Sequence, residues 1–273
     1  MRIHVRAPAS TANLGPGFDC AAVALDLWNE LEVVDGDGEA DLGHLGVRAF
    51  AQLAPVEGRL FRWTERIPRE RGLGSSASVI ALGLVAAALS LGRRPDPEEL
   101  LPAGLELEGH ADNLAASLGG GACLSWDGRI ARIAERVPAS PIAIIPEASV
   151  STMLSRAALP AAVSHRDAAF TVARAALLGA ALSSGSPELF AAALEDRLHE
   201  PYRAATAPLL AKLRRDLPPE ALGVSLSGSG PTVIVWAREE SAVRCADRLR
   251  ERFAVERVLP LEVSPAGAQV LSA

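Results

Sequence analysis

Lysine is almost absent from this chain of 273 residues. Lys212 is the single lysine among 27 basic residues, so the other 26 are arginines. A P-loop needs a lysine after its glycines, a protein kinase needs one on a strand, and Schiff-base enzymes need a reactive amine. Lys212 lies in LLAKLRRD, which is typical of a solvated helix face. The composition therefore argues against all three catalytic classes.

Cysteine, net positive charge and long apolar runs are scarce as well. Cys20, Cys123 and Cys245 are far apart and odd in number, which fits neither a disulfide framework nor a CxxC zinc site and favours a reducing, cytoplasmic compartment. A net charge of −6 argues against a nucleic-acid partner. The uncharged stretch 72–92 has an apolar part, 77–91, that is shorter than the roughly 20 residues that cross a bilayer. Because MRIHVRAPAS also lacks a signal-like apolar region, we expect no membrane partner and predict a buried helix.

The residues that are present indicate a folded α+β protein. With 49% apolar and 22% charged residues, the chain has the balance of a globular protein, with the length of one large domain or two small ones. In the first half, the pattern predicts strands near 2–6, 27–34, 61–67, 122–125 and 129–134, and helices from 75, 98 and 114. In the second half it predicts strands at 142–145, 223–226, 232–236 and 255–259, and helices at 166–183, 187–199, 205–216 and 239–253. Apart from its extra helices, this second order is β-α-β-β-α-β, the ferredoxin-like arrangement, and it suggests a domain boundary near 138–141.

The segment IPRERGLGSSAS combines glycines with serines where the long apolar run begins. Gly72 and Gly74 let the backbone adopt positive φ and approach a ligand closely. Ser75 and Ser76 stand at the start of the predicted helix, where free amides form an anion site, and Arg71 adds positive charge. The pattern indicates phosphate binding, although a serine-capped helix after a glycine turn gives the same pattern without a ligand.

A second polar loop, PASTANLGPGFD, follows the first predicted strand. An Asx-rich turn explains its glycines and Asn13 without any ligand. It does not explain Asp19, which lies between Phe18 and Cys20, because a carboxylate in an apolar setting usually needs a partner. Asp19 is therefore a candidate binding residue.

Two further segments place polar side chains near glycines. LSGSGPT, residues 226–232, links two predicted strands and either serves only as a turn or presents amides to a phosphate. ELEGHADN, residues 106–113, lacks the HxxxH and HExxH zinc patterns, and His110 has no second histidine nearby. Asp112 or Asn113 can equally be a plain helix cap.

Together and in this order, these four segments resemble the GHMP kinase superfamily. The resemblance covers nearly the whole chain, and ANLGPGFD, EGHADN, TMLSR and DRLHEPYR are similar to the homoserine kinase family within it. It implies a two-domain α+β fold, with an N-terminal ribosomal protein S5 domain 2-like, ATP-binding domain over 1–140 and a C-terminal ferredoxin-like α+β sandwich over 141–273. It also implies transfer of the ATP γ-phosphoryl group to the hydroxyl of L-homoserine, in threonine biosynthesis, and allows a homodimer.

The resemblance assigns ATP and Mg²⁺ to particular residues. The nucleotide phosphates would bind two loops, through Arg71, Gly72, Leu73, Gly74, Ser75, Ser76, Ser227, Gly228, Ser229 and Gly230. Ser76 and Glu108 would hold Mg²⁺, because oxygen ligands suit a hard cation, and Glu106 is the competing ligand.

The implied substrate is a zwitterion, so its site needs both charges. The residues implied for it are Asn13, Asp19, His110, Asn113, Thr152, Arg156 and Arg203. Asp19, with Asn13 and His110, would meet the α-ammonium group. Arg156 and Arg203 would bind the carboxylate through their planar guanidinium groups, with Thr152 in support. Taken alone, each arginine is equally compatible with an ordinary surface position.

Asn113 takes a position where several relatives have an aspartate base, and it would meet the reacting hydroxyl. Asparagine cannot accept the proton, so we predict direct in-line attack without a dedicated general base. The catalytic residues would be Asn113, Ser76 and Glu108, with charge neutralisation and loop amides stabilising the transferring group. Asp112 as a base is the alternative.

Some departures from the family pattern limit the prediction. CAAVAL lacks a glycine that the family tends to have after its first loop, and Arg69 and Glu70 put charges just ahead of the phosphate loop. The stretch 35–66 is short, so no adenine contacts are predicted. One rival is a GHMP kinase for mevalonate or a related isoprenoid alcohol, which lacks the ammonium group that Asp19 would bind. The other is a non-catalytic GHMP-like ligand-binding protein.

Overall fold

The chain folds into two antiparallel sheets with helices packed on them, in a computed structural model that describes residues 1–253 and 257–273. The strands, in chain order, are β1 Arg2–Asn13, β2 Gly17–Asp35, β3 Arg59–Thr64, β4 Ala122–Trp126, β5 Arg129–Ala134, β6 Ser140–Ile145, β7 Ala221–Leu226, β8 Val233–Ala237, β9 Arg257–Pro260 and β10 Gln269–Ser272. The helices are α1 Leu45–Ala51, α2 Ser75–Ser90, α3 Pro97–Glu108, α4 Asp112–Gly119, α5 Thr152–Ala157, α6 His165–Ser184, α7 Pro187–Ala193, α8 Pro208–Arg215 and α9 Ala242–Arg252. Short 3₁₀ turns lie at Pro201–Arg203 and Glu239–Ser241. The predicted α+β class is confirmed.

The first sheet has the order β10-β1-β2-β4-β5, and β3 pairs with β2 beside this path. β1 and β2 form a long hairpin whose pairs run from Arg2 with Val34 to Asn13 with Gly17. β2 is 19 residues long, so its later part pairs with β3 and its earlier part with β4. The loop of this hairpin, residues 14–16, lies at the end of the first sheet that is next to the second sheet.

The helix α2 forms the centre of the core beneath this first sheet. Every residue from Ala77 to Ala88 is buried, against α1, α3, α4 and the sheet. A helix that is apolar on all sides is stable only when it is covered on all sides, so the predicted buried helix is confirmed. Among the described residues, none of the helices is both long and apolar enough to cross a membrane.

The second sheet has the order β7-β8-β6-β9 and buries both of its faces. Ile142 and Ile144 of β6 pack with α8 and α9, whereas Ala143 and Ile145 pack on the opposite face with α6 and α7. That second core also contains Leu14 at the end of the β1–β2 hairpin. Alternate side chains of β6 therefore belong to two different cores, one of which joins the two sheets. The elements of the second sheet follow the predicted β-α-β-β-α-β order, apart from the extra helices.

Several predicted boundaries move in the structure. The predicted helix 187–199 ends at Ala193, which corrects that prediction. The cause is Asp196, whose carboxylate accepts hydrogen bonds from the amides of Leu198, His199 and Glu200 at 2.9, 2.7 and 2.9 Å. Such local side-chain bonds compete with helix continuation. The second strand begins at Gly17, ten residues before the predicted start at 27.

Three elements were not predicted, namely α1, α5 and β10. β10 pairs with β1, for example Val270 with Val5, so the end of the chain returns to the first sheet. The predicted strand 255–259 is observed as β9 from Arg257, and its first two residues lie outside the described residues. β6 begins at Ser140, next to the predicted domain boundary, which stays a prediction.

Candidate active site

The three glycine-serine loops, remote from one another in sequence, meet at a single cavity between the two sheets. The predicted site residues that line it are Asn13, Asp19, Arg71, Gly72, Gly74, Ser75, Ser76, Glu108, His110, Asn113, Thr152, Arg156, Arg203, Gly228 and Ser229. Leu73, Ser227 and Gly230 are buried and are not part of the lining. Asp112 and Glu70 complete the polar wall beside them.

The predicted phosphate loop adopts a conformation that needs its glycines. Gly72 and Gly74 have φ of +76° and +64°. A Cβ on Gly72 would lie 2.2 Å from the carbonyl oxygen of Ser227, and one on Gly74 would lie 2.1 Å from Oγ of Ser10. Because α2 begins at Ser75, its first amides have no carbonyl partner within the helix. The loop thus presents a helix N-terminus, with Ser75 and Ser76, to the cavity.

Arg71 lies at the cavity, but its guanidinium donates hydrogen bonds to the chain itself. Nε donates to the carbonyl of Pro146 at 3.1 Å, Nη1 to that of Arg69 at 3.2 Å, and Nη2 to that of Glu147. These contacts tie the phosphate loop to the segment after β6. The structure therefore gives Arg71 a bracing role that the sequence did not indicate.

Ser76 and Glu108 form the side of the cavity next to this helix. Ser76 Oγ donates a hydrogen bond to the Glu108 carboxylate, which is only 8% exposed. Burial raises the pKa of Glu108, and Asp112 raises it further, against the opposing effects of His110 and Ser76. Glu106 is exposed and is not part of the cavity wall. Of the two glutamates, Glu108 is therefore the one with an oxygen at the site.

This pair of oxygens fits Mg²⁺ better than a softer metal. Within 1–253 and 257–273, no group of three or more His, Cys, Asp or Glu side chains is arranged to hold a metal ion. Mg²⁺ commonly uses one or two protein oxygens and takes its other ligands from water and substrate phosphates. A cation would also offset the cost of burying the Glu108 charge.

At the other end of the cavity, Asp19 and Arg156 form a bidentate ion pair. Arg156 Nη1 and Nη2 donate to the two carboxylate oxygens of Asp19 at 2.9 and 2.7 Å. Each side chain is 38% exposed. The two charges that the sequence assigned to opposite ends of a zwitterion thus lie at one point of the cavity wall.

Arg203 is held beside this pair and is almost completely buried, at 2% exposure. Its Nη1 donates to the Gly228 carbonyl at 3.2 Å and to Nδ1 of His199 at 3.0 Å. Burial lowers the pKa of Arg203, and the charge of Arg156 lowers it further. The guanidinium carbons of Arg156 and Arg203 lie 5.9 and 5.4 Å from the centre of the Phe18 ring, so one aromatic side chain supports both arginines.

Asn113 and its neighbours occupy the middle of the cavity. The Oδ1 of Asn113 accepts a hydrogen bond from Ser10 Oγ at 2.9 Å, which leaves its amide nitrogen as the donor end. Asp112 Oδ1 accepts from the backbone N–H of Asn113 at 2.7 Å and lies 3.2 Å from His110 Nδ1. Burial by itself lowers the pKa of His110, but the Asp112 and Glu108 carboxylates outweigh it and the pKa is raised. The Oδ1 oxygen of Asp112 therefore already has contacts within the protein.

The remaining predicted residues connect the loops. Asn13 donates from Nδ2 to the Gly228 carbonyl at 3.0 Å, and its Oδ1 accepts from the Asp19 amide at 3.1 Å. Thr152 Oγ1 lies 3.4 Å from Ser229 Oγ. The amides of Gly228 and Gly230 donate to carbonyls of Ala12 and Ser227, so these two amides are not free for a phosphate.

A second cavity adjoins the phosphate loop and shares Ser75, Ser76 and Glu70 with the first. Its other lining residues are Asp41, Gly43, His44, Leu45, Glu65, Arg69 and Val79. His44 packs on Trp63 with 4.2 Å between ring centres and bonds to Glu65 at 3.4 Å. Sequence patterns did not indicate this cavity, because its residues outside the phosphate-loop segment carry no motif and join that segment only through β3 and α1.

Comparisons with known proteins agree with this geometry. The family model "GHMP kinases N terminal domain" matches residues 44–121, and "GHMP kinases C terminal" matches 175–255. A homoserine kinase from Streptomyces avermitilis is 39% identical, over 98% of this chain and 95% of that protein. The chain belongs to the homoserine kinase family of GHMP kinases. In this family, a homoserine kinase from Clavibacter michiganensis is 41% identical over 86% of this chain and 82% of its own length.

Comparison of the fold with solved structures indicates the same family. The crystal structure of a homoserine kinase from Cytophaga hutchinsonii superposes with a TM-score of 0.87 at 26% identity, and the match covers 99% of this chain and 97% of that one. The resemblance found in the sequence is thereby confirmed over its full extent.

Proposed function

We propose that this chain transfers the ATP γ-phosphoryl group to the hydroxyl of L-homoserine, with Mg²⁺ and without a dedicated general base. Kinase chemistry with an alcohol acceptor and ATP follows from membership in the family. One observation supports the choice of substrate above the others. It is the bidentate Asp19–Arg156 pair, which lines the same cavity as the start of α2.

An amino acid can offer each member of this ion pair a new partner of the same charge as the old one. Its α-ammonium group would bind Asp19, and its carboxylate would bind Arg156 and the buried Arg203. Each protein charge then trades one partner for another of the same sign, so neither is left unpaired in a partly buried site. A mevalonate-type substrate has a carboxylate but no ammonium group, and it would leave Asp19 without a partner.

We assign the phosphates of ATP to the amides and serines at the start of α2, where the helix dipole favours anions. The nucleoside would then extend into the adjoining cavity beside His44, because that cavity shares Ser75 and Ser76 with the first. His44, whose ring packs on Trp63, offers a flat aromatic surface in the wall of this cavity.

Ser76 and Glu108 would hold Mg²⁺ at the phosphate end. When bound, the metal ion neutralises charge on the transferring phosphoryl group. The chain's own contribution is to keep Glu108 buried and aligned by the Ser76 hydroxyl.

Asn113 would orient the acceptor hydroxyl through its amide nitrogen, because Ser10 occupies its Oδ1. The alternative base, Asp112, has one oxygen, Oδ1, that already accepts from the backbone amide of Asn113 and lies 3.2 Å from His110 Nδ1. A loose transition state for phosphoryl transfer gains most from positioning and charge neutralisation, so a base is not essential.

The direct test measures ADP release with L-homoserine, mevalonate, galactose and L-serine in parallel. We expect turnover with L-homoserine well above the background without acceptor, and O-phospho-L-homoserine as the product. A rate no higher than background with L-homoserine contradicts the proposal, and preference for mevalonate would favour the isoprenoid alternative. Threonine biosynthesis, a cytoplasmic location and a homodimer stay predictions from the sequence.

A further inference from the structure

We propose that His199 is a positioning residue that holds Arg203 in the substrate cavity, an inference that rests on the proposed function. His199 lies in the irregular segment after α7 and is fully buried, at 0% exposure. Its segment, DRLHEPYR, contributes to the family resemblance, but no role was predicted for His199 itself. It reaches the cavity only through the side chain of Arg203.

The contacts of His199 allow a single protonation state. Nε2 lies 2.7 Å from the carbonyl oxygen of Gly15, which can only accept a hydrogen bond. Nδ1 lies 3.0 Å from Arg203 Nη1, which can only donate one. Both bonds form together only in the neutral ring that carries its proton on Nε2. Asp196, whose Oδ2 is 3.6 Å from Nε2, faces the same side of the ring.

Arg203 needs the hydrogen bond to His199 because few other contacts hold its guanidinium in place. Its hydrogen bonds in the described chain go to two neutral acceptors, His199 Nδ1 and the Gly228 carbonyl. Among the described residues its buried Nε has no hydrogen-bond partner. A guanidinium that is held through Nη1 alone, on a residue that lines the cavity, suits an incoming carboxylate.

The ring of Phe18 packs against both His199 and Arg203 and fixes the plane of the His199 ring. The rings of Phe18 and His199 stack with 5.0 Å between centres and an angle of 19°. Arg203 lies 5.4 Å from the centre of the same Phe18 ring. His199 thus links the first loop, through Gly15 and Phe18, to the arginine that would bind the substrate.

Two near-isosteric variants separate this role from a merely structural one. His199→Asn keeps an acceptor where Nδ1 stood and loses the donor to Gly15. His199→Gln keeps a donor near Nε2 and loses the acceptor for Arg203. If His199 acts through Arg203, the Asn variant keeps the homoserine KM within about threefold of wild type. The Gln variant raises it about 10- to 100-fold, the value of a hydrogen bond to a charged group. KM for ATP stays within about twofold in both variants.

The reverse order of the two variants, equal losses in both, wild-type behaviour in both, or a parallel rise in the KM values for homoserine and ATP would each overturn the proposal. A ¹⁵N NMR spectrum of histidine-labelled wild-type protein gives a test that no folding defect can obscure. We expect His199 to show a protonated Nε2 and an unprotonated Nδ1 at neutral pH, and the opposite tautomer or a charged ring would also refute the role. If the wild-type protein fails to phosphorylate homoserine, the proposed function fails, whereas the NMR result still tests the arrangement around His199.

Discussion

The two ends of the cavity are built in different ways. The part proposed for the phosphates, the phosphate end, takes its backbone amides from one continuous segment, residues 71–76 at the start of α2, and adds the Glu108 carboxylate from the end of α3. The part proposed for the amino acid, the amino-acid end, is made of side chains from separate segments, with Asp19 near the start of β2, Arg156 on α5 and Arg203 in the 3₁₀ turn after α7. The first end therefore has a backbone framework that comes from a single segment, whereas the second end exists only when the whole chain is folded.

This difference determines what can damage each end. The phosphate end depends on close backbone approach, such as the 2.2 Å that would separate a Cβ on Gly72 from the Ser227 carbonyl. The amino-acid end depends on charge pairs and on their supports, such as His199. Substitutions of charged side chains should therefore separate the two ends in kinetic measurements.

The largest effect should come from the carboxylate at the phosphate end. We expect Glu108→Gln to lower kcat about 100-fold or more, because it removes an ionised oxygen from the position proposed for Mg²⁺. In a titration of activity against Mg²⁺, the variant should need a higher Mg²⁺ concentration for half-maximal activity, and chelation should abolish wild-type turnover. The matched control is Glu106→Gln, two residues away and exposed, which should stay close to wild type. Equal losses in the two variants would remove the distinction between these glutamates.

At the amino-acid end, Arg156→Ala should raise KM for homoserine about 30- to 100-fold, because the variant leaves Asp19 unpaired and removes one carboxylate ligand. KM for ATP should change by no more than about twofold. Arg156→Lys keeps the charge but loses the bidentate contact, and we expect an intermediate KM. Steady-state kinetics with each substrate varied in turn provide the measurement. A similar rise for both substrates would mean that Arg156 does not belong to one end only.

A smaller effect on KM is expected from a substitution in the cavity proposed for the nucleoside. We expect His44→Ala to raise KM for ATP about 2- to 10-fold, the range of one aromatic contact, with homoserine KM unchanged. His4→Ala is the control, since His4 pairs with Glu30 on the first sheet away from both cavities. An unchanged KM for ATP in the His44 variant would exclude that side chain from the nucleotide site.

The smallest effect should be that of Asp112→Asn. A general base typically contributes about 10²- to 10⁴-fold to a rate, whereas the base-free proposal allows a change in kcat of only about fivefold. The variant keeps an oxygen that can accept from the Asn113 amide, so the start of α4 should stay intact. The measurement is kcat at saturating substrates, together with binding of homoserine and ATP. Loss of turnover with both substrates still bound would make Asp112 the base.

Much of the fold follows from sequence patterns because those patterns are local. The alternation in β1, the wholly apolar α2 and the Asp127-Gly128 turn between β4 and β5 each carry their signal within a few residues. The predicted helix 187–199 was wrong beyond Ala193, since its composition favours a helix and only the Asp196 carboxylate shows that the chain turns away. β10 has four residues and becomes a strand only because β1 offers it an edge.

The candidate site shows the same division. The glycine-serine loops could be found in the sequence, because a phosphate loop needs glycine and serine at fixed spacing. Arg71 was expected to add charge, but its carbonyl partners lie 75 and 76 residues further along the chain, at Pro146 and Glu147. His199 and the His44 cavity gave no local signal, since each gains its partners from distant segments.

The near absence of lysine excluded whole classes of catalyst, and sequence alone was sufficient for that, because a missing functional group cannot be supplied by folding. The sequence also determined the order of the loops and the residue types available for phosphate and charge recognition. The resemblance had named Arg71, Arg156 and Arg203, and only the tertiary structure decided how each of them is held. Arg71 braces the chain, Arg156 pairs with Asp19, and Arg203 is buried against His199. Partners that far apart in the chain meet only after the two sheets have packed, so no pattern within a single segment could have revealed them.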